Sequence, residues 1–330
     1  MRVAVWVVDA QLRAPLVSAH GSSDSRRLVQ VSLTDARGRS GYGEAAPLQS
    51  YDGVSFKEVL GVLKAWGPRD PDPALPQAAA ALDLARWDLA GKRAGEPVWR
   101  LLGASRPPVV RLNATIGAEA PAAAAAMASR AQAAGFTCVK VKVGMGDDVG
   151  RVAAVREAAP DIEIRLDANG AWTPGQAITL LDELAALRIE CCEEPVHGTE
   201  GLSRVAESVS VPIAADETRV LDSRICTAVC LKISSSGGIT GLCRDADRAR
   251  RTGYEVYLAS ALDGPLGIAG ALHAAAVVRP DRACGLATLE RFVAPDPLPP
   301  TSGAISAPST PGLGLSPMIA TLDGGYSLTT

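Results

Sequence analysis

Two lysines, Lys140 and Lys142, stand inside the run CVKVKVG, which otherwise reads as a β-strand. Side chains alternate along a strand, so Val139, Val141 and Val143 share one face while Cys138, Lys140 and Lys142 share the other. A solvated edge strand would give the same pattern in one segment. The pattern recurs, however. IEIRLDANG sets Asp167 opposite Ile162, Ile164 and Leu166, and AVCLKIS sets Lys232 opposite Val229, Leu231 and Ile233. IECCEEP ends in Glu193 and Glu194, and VPIAADE ends in Asp216 and Glu217. Consecutive apolar strands that all end in charge point to one shared site rather than to scattered solvated caps.

Three carboxylates brought within about 4 Å of one another repel by roughly 4 kcal/mol per pair at an effective dielectric near 20, which only a cation makes tolerable. The donors are oxygens, with no paired Cys or His, so Mg²⁺ is the expected ion and Mn²⁺ an alternative. Asn169 and Glu217 stand beside the donors and would orient them. The lysines suit proton transfer. Lowering a lysine pKa from about 10.4 to the range where it acts as a base costs roughly 4 kcal/mol. Lys140, about 6.6 Å along the same strand face, together with Lys232 and the ion would push Lys142 in that direction, with the carboxylates opposing.

The elements that must position these groups follow a rhythm. From about residue 108, short β-branched runs alternate with Ala-rich helical stretches, with strands expected at 138–143, 162–167, 189–193, 211–216, 228–233 and 254–259. Repeated βα units of this length close into a barrel, whose strand C-termini form a single mouth where Lys140, Lys142, Asp167, Glu193, Asp216 and Lys232 would converge. Residues 1–105 read differently, as strands joined by an Asp/Gly turn and then helices, an α+β cap. The barrel would occupy 106–292. Residues 293–330 are rich in Pro, Gly and Ser and are expected to pack back on the cap.

Composition narrows the partners. With 33 basic against 36 acidic residues there is no cationic surplus for nucleic acid or anionic lipid. No run reaches the roughly 18 apolar residues of a spanning helix, and the N-terminus lacks a signal-peptide pattern, so a cytoplasmic protein acting on a small molecule is expected, with room for a homo-oligomer. Seven cysteines, several inside strands, read as reduced thiols, and the CxxxC of Cys226 and Cys230 lacks the second pair or nearby histidine of a zinc site. The glycines of SSSGG and GPLGIAG lack a lysine-terminated phosphate loop and read instead as close packing at the barrel rim.

The motifs KVK (140–142), DANGAW (167–172), EEP (193–195), ADE (215–217) and LKISSSGG (231–238), with GYGEAAPL and ALDLARWDLAGK in the cap, resemble the enolase superfamily over nearly the whole chain, and within it the muconate cycloisomerase (muconate lactonizing) subgroup. The resemblance implies a modified TIM (β/α)7β barrel with an α+β capping domain. It also implies a general scheme of that superfamily, in which Mg²⁺ binds a substrate carboxylate and a lysine removes the proton α to it. Carried over residue by residue, Asp167, Glu193 rather than Glu194, and Asp216 hold the ion, Lys142 is the base, Lys140 its electrostatic helper, and Lys232 the opposing acid/base or a cation facing the intermediate. SALDGPLGIAGALHAAA (260–276) and NATIG (113–117) look most like o-succinylbenzoate synthases, which lose water. N-acylamino acid racemases, dipeptide epimerases and muconate-type cycloisomerases are the alternatives, and a catalytically silent barrel-fold binding protein is the alternative of another class. Expected substrate contacts are Ser260, Asp263, Tyr51 and His20. Dipeptide epimerases carry two acids at the last strand to hold an ammonium group, whereas Asp263 stands alone. A mandelate racemase-type histidine base would come from the later strands, but the histidines are His20, His197 and His273, and the last lies in an Ala-rich helix that suits packing.

Overall fold

The structure, a computed structural model, describes residues 1–18, 21–320 and 326–328. The chain opens with an antiparallel sheet of β1 (Arg2–Ser18), β2 (Gly21–Thr34) and β3 (Ser40–Ala45), followed by helices α1 (Gln49–Asp52), α2 (Phe56–Ala65), α3 (Pro76–Ala94) and α4 (Val98–Leu101). Alternation along β2 puts Val29, Val31 and Leu33 on one face, where they share a separate core with Val59 and Leu63 of α2 and Leu82, Ala85 and Leu89 of α3. The glycines of GYGE make this possible. A Cβ at Gly43 would stand 2.0 Å from the Ala81 carbonyl oxygen, and one at Gly41 2.2 Å from that of Ala85, so only a bare backbone lets β3 lie against α3.

After β4 (Val109–Arg111), seven parallel strands lie side by side in sequence order: β5 (Asn113–Ile116), β6 (Cys138–Lys142), β7 (Glu163–Asp167), β8 (Ile189–Glu193), β9 (Ile213–Ala215), β10 (Ala228–Lys232) and β11 (Glu255–Ala259). Between and after them run α5 (Pro121–Ala133), α6 (Asp148–Ala158), α7 (Pro174–Leu184), α8 (Thr199–Ser208), α9 (Ile233–Ser236), α10 (Gly238–Thr252) and α11 (Pro265–Val278). The ring is completed by residues 284–285, where Cys284 bridges to Leu112 ahead of β5 and Gly285 bridges to Ala259 of β11, both in parallel. This is the α/β barrel with a capping sheet that the strand rhythm implies. The six strands expected from the pattern are β6 to β11, each within two residues of its expected bounds. β5, four residues long, and the closing segment are too short to carry a periodic signal. At the C-terminus, β12 (Ala304–Ser306) pairs with β4, and β13 (Met318–Ala320) pairs with β14 (Tyr326–Leu328). Among the described residues no helix is long and apolar enough to cross a membrane.

The cap is pinned to the barrel through helix ends. Neither α10 nor α11 has a side-chain cap of its own, and each begins after a glycine. Their first N–H groups are met by carboxylates from the cap. Asp83 of α3 accepts from the Thr240 N–H at 3.0 Å and the Thr240 hydroxyl at 2.6 Å, and Glu44 of β3 accepts from the Gly267 N–H at 3.0 Å. The glycines of both rim motifs leave the space: a Cβ at Gly238 would meet Asp83 at 2.5 Å, and one at Gly264 would meet Glu44 at 2.7 Å. Close packing, as expected, accounts for them.

Burial, reinforced by the Asp263 carboxylate, pushes the Glu44 pKa up to about 7. The folded state therefore holds this proton more tightly than the unfolded chain, and stability falls as pH rises between the ordinary glutamate value and about 7, by about 3 kcal/mol. Glu44→Gln keeps an oxygen for the Gly267 N–H but carries no charge. Denaturant unfolding at pH 5 and pH 8 is expected to show a flatter pH dependence for the variant, with its gain over the parent confined to the higher pH.

Candidate active site

The strand ends place acids and amines in alternation. Parallel register sets Lys142 beside Asp167 and Asp167 beside Glu193, while β10 brings Lys232 to the far side of the mouth. Lys140 Nζ lies 2.8 Å from Asp167 Oδ2 and 3.4 Å from Glu193 Oε1, and Lys142 Nζ lies 2.7 Å from the same Asp167 oxygen. Lys232 pairs with both oxygens of Asp216. Asp167, Glu193, Asp216 and Lys232 are buried, and Lys142 is the most open of the three amines.

The turns that follow β7 and β8 aim these side chains. Asn169 and Glu194 both adopt left-handed backbone, at φ 44° and 41°. Asn169 accepts from Lys142 and donates to Glu217 Oε1 at 2.9 Å. At Glu194 the turn breaks the strand's alternation, so the adjacent acids take different surroundings. Glu193 reaches Lys140, whereas Glu194 accepts from the backbone N–H of Asp216 at 2.9 Å and of Thr218 at 3.0 Å, and from the Thr218 hydroxyl. Glu194 thus holds the loop that carries Asp216.

The electrostatics follow these pairings. Burial pulls Lys140 down, but the charges of Asp167 and Glu193 outweigh it and hold its pKa well above the ordinary lysine value. Burial likewise opposes, and Asp216 overcomes it, at Lys232. These are the two neighbours expected to lower Lys142 by repulsion, and at both of them the carboxylates dominate. Burial pushes Glu193 up to about 7 against the pull of Lys140.

Among the described residues, donor atoms of Glu193, Asp216 and Cys230, all buried, lie within 4.8 Å of one another. Asp167 stands outside that group with its Oδ2 turned onto Lys140 and Lys142. Cys230 shares a strand face with Lys232, an alternation readable in AVCLK, and is the small buried thiol that its place in a strand implies. Burial holds its pKa well above the usual thiol value, so it enters as a neutral neighbour. Glu217 Oε2 is buried with no hydrogen-bond partner. An acidic, oxygen-rich set with one unsatisfied carboxylate oxygen suits a hard divalent cation.

The expected substrate contacts fall in three places. Tyr51, from α1 of the cap, lies over Lys232, whose Nζ is 4.2 Å from the ring centroid and donates to the phenol oxygen. Ser260 and Asp263 bind each other: the Ser260 hydroxyl donates to Asp263 Oδ2 at 3.0 Å, and the same oxygen accepts from the Ala261 N–H at 3.1 Å. Asp263 is 2% exposed. Their loop is held by Arg26 of β2, whose guanidinium donates to the carbonyls of Ala46 and Pro47 in the cap and of Ala261 and Leu262 in the barrel. His20 lies outside the described residues. His273 is fully buried, accepting from the Trp99 N–H at 3.1 Å with its other nitrogen 3.2 Å from the Leu313 carbonyl, a packing role.

Residues 122–320 match the family described as Enolase C-terminal domain-like, and residues 65–103 match the Mandelate racemase / muconate lactonizing enzyme N-terminal domain. The chain belongs to this branch of the enolase superfamily. It is 31% identical to the L-Ala-D/L-Glu epimerase of Bacillus subtilis, with 96% of each chain covered. It is 33% identical to the o-succinylbenzoate synthase of Thermobifida fusca, covering 82% of this chain and 79% of that one. Among solved structures, the dipeptide epimerase of Enterococcus faecalis complexed with Mg and dipeptide L-Leu-L-Tyr superposes with a TM-score of 0.84 at 28% identity, covering 94% of this chain and 98% of that one. The protein is an enolase-superfamily enzyme, of the isomerase and lyase kind its relatives represent.

Two interior residues of the enzyme escaped the motifs. Arg165 and Tyr257 both lie wholly inside the barrel, Arg165 on the face of Asp167 and Tyr257 on that of Ala259. The alternation used for Asp167 would have found the first.

Replacing Glu194 by Ala leaves the buried N–H of Asp216 and the half-buried N–H of Thr218 without an acceptor, at about 1–3 kcal/mol for the first and less for the second. Denaturant unfolding is expected to register a loss of about 2–5 kcal/mol for Glu194→Ala and a much smaller one for Glu194→Gln, whose amide oxygen still accepts. Equal losses would show that the negative charge, rather than the acceptor, holds the loop.

Proposed function

We propose that the enzyme abstracts the proton α to the carboxylate of a small substrate and that the reaction is an o-succinylbenzoate synthase-like loss of water. The observation that carries the half-reaction is the placement of Lys142 and Lys232 on opposite sides of a mouth lined by Asp167, Glu193 and Asp216. Mg²⁺, with Mn²⁺ as the alternative, would be held by these three carboxylates and would supply a positive counter-charge for a substrate carboxylate. Asn169 and Glu217 orient that set. Lys142, the most open of the amines, takes the α-proton in its neutral form, and Lys140 adds fixed positive charge beside Asp167. The Lys232 ammonium faces the electron pair left behind. Dehydration then returns the proton of Lys142 to the departing hydroxyl as the β carbon–oxygen bond breaks, so that water leaves and the base is restored.

Dehydration is preferred over dipeptide epimerisation because Asp263 stands alone where an ammonium would call for two acids, and it is buried with Oδ2 engaged by Ser260 and Ala261. A 1,1-proton transfer on an N-acylamino acid is the second reading, favoured by the same opposed pair, since Lys232 in its amine form would serve the other face. The seven free cysteines fit a reducing, cytoplasmic setting.

The test is a parallel incubation of the o-succinylbenzoate precursor, N-succinyl amino acids and dipeptides with the enzyme and Mg²⁺ in D₂O. The precursor is expected to lose water fastest, with N-succinyl amino acids exchanging their α-proton more slowly. Dipeptides turning over faster than either would overturn the dehydration reading. Lys142→Ala is expected to lower exchange by about 10²–10⁴-fold with the fold retained, and undiminished exchange would place the base elsewhere.

A further inference from the structure

The interior of a barrel of this kind is ordinarily filled by branched apolar side chains. Here the layer beneath the strand ends holds Lys140, Arg165, Cys191, Cys230 and Tyr257, adjacent through the register of β6 with β7, β7 with β8 and β10 with β11. Burying a guanidinium and a phenol at the centre of a barrel is costly unless each is paired. Both are. Arg165 donates to both oxygens of Glu190, at 2.9 and 3.0 Å, and to the Ala283 carbonyl at 2.9 Å. Glu190 is held from its other side by Arg282 at 2.6 Å. The Tyr257 ring stacks on this fixed guanidinium, 4.2 Å from its carbon, and its hydroxyl donates to Glu193 Oε2 at 2.9 Å. The thiols of Cys191 and Cys230 are small enough to leave the ring and the guanidinium their space.

Glu193 therefore has one oxygen committed to Tyr257 and the other, Oε1, facing Lys140 and the mouth. We infer that Tyr257 is a positioning residue: it fixes the rotation of the Glu193 carboxylate so that one oxygen is always presented to a divalent cation, and it is itself fixed by an ion-paired chain running to the barrel floor. Hydrogen bonds made from behind a metal ligand set its orientation, and their loss ordinarily weakens metal binding. This rests on the reading of Glu193 as a cation ligand.

Calorimetric titration of Mg²⁺ alone into the full-length protein tests it without substrate or turnover. Tyr257→Phe removes the hydroxyl and keeps the ring on Arg165. It is expected to bind Mg²⁺ about 10–100-fold more weakly, with the unfolding midpoint lowered only by the loss of one buried hydrogen bond and by less than in Tyr257→Leu. Tyr257→Leu is expected to show the same loss of affinity together with a lower midpoint. An unchanged affinity in Tyr257→Phe overturns the inference, as does a loss that appears only in Tyr257→Leu and follows the midpoint, the mark of packing alone. Glu193→Gln separates the underlying reading. Unaltered Mg²⁺ binding there removes the ligand assignment and this inference with it, whereas weakened binding alongside an unchanged Tyr257→Phe overturns the positioning role alone.

Discussion

Charge balance inside a closed barrel governs this structure. Lys140, Lys142 and Lys232 are brought out of bulk water, and each is paired with Asp167, Glu193 or Asp216. A single buried charge of either sign would be expelled or neutralised, whereas an alternating ring of both signs persists. The carboxylates thereby keep Lys140 and Lys232 charged and the amines keep Asp167 ionised, burial opposing in each case.

The scaffold serves that ring by repetition. Parallel strands fix which side chains stand level, and the register places Lys142, Asp167 and Glu193 in one tier with Lys140 and Arg165 in the tier below. Local backbone then does what repetition cannot. The left-handed turn at Glu194 separates two neighbouring acids into one that enters the mouth and one that braces the next loop. The cap adds Tyr51 above Lys232, closing the ring from outside the barrel.

The sequence was legible where periodicity speaks. The strands β6 to β11, and the face on which Lys140, Lys142, Asp167 and Lys232 lie, follow from period-two alternation, and the structure brings those residues to one mouth. What escaped depends on contacts distant in the chain. Glu44 meets the start of α11, 223 residues away, and nothing local to GYGE announces it. The hydrogen bond from the Ser260 hydroxyl to Asp263 is a loop contact that no periodicity announces. Arg165 and Tyr257 sat in plain alternation but resembled no motif, and the stack between them is a product of barrel closure.

The borrowed helix caps make the barrel depend on this particular cap. Because Asp83 and Glu44 supply what α10 and α11 lack, a barrel of this kind transplanted under a foreign lid would start two of its helices with bare amides. Chimeras that exchange lids must therefore preserve these acids.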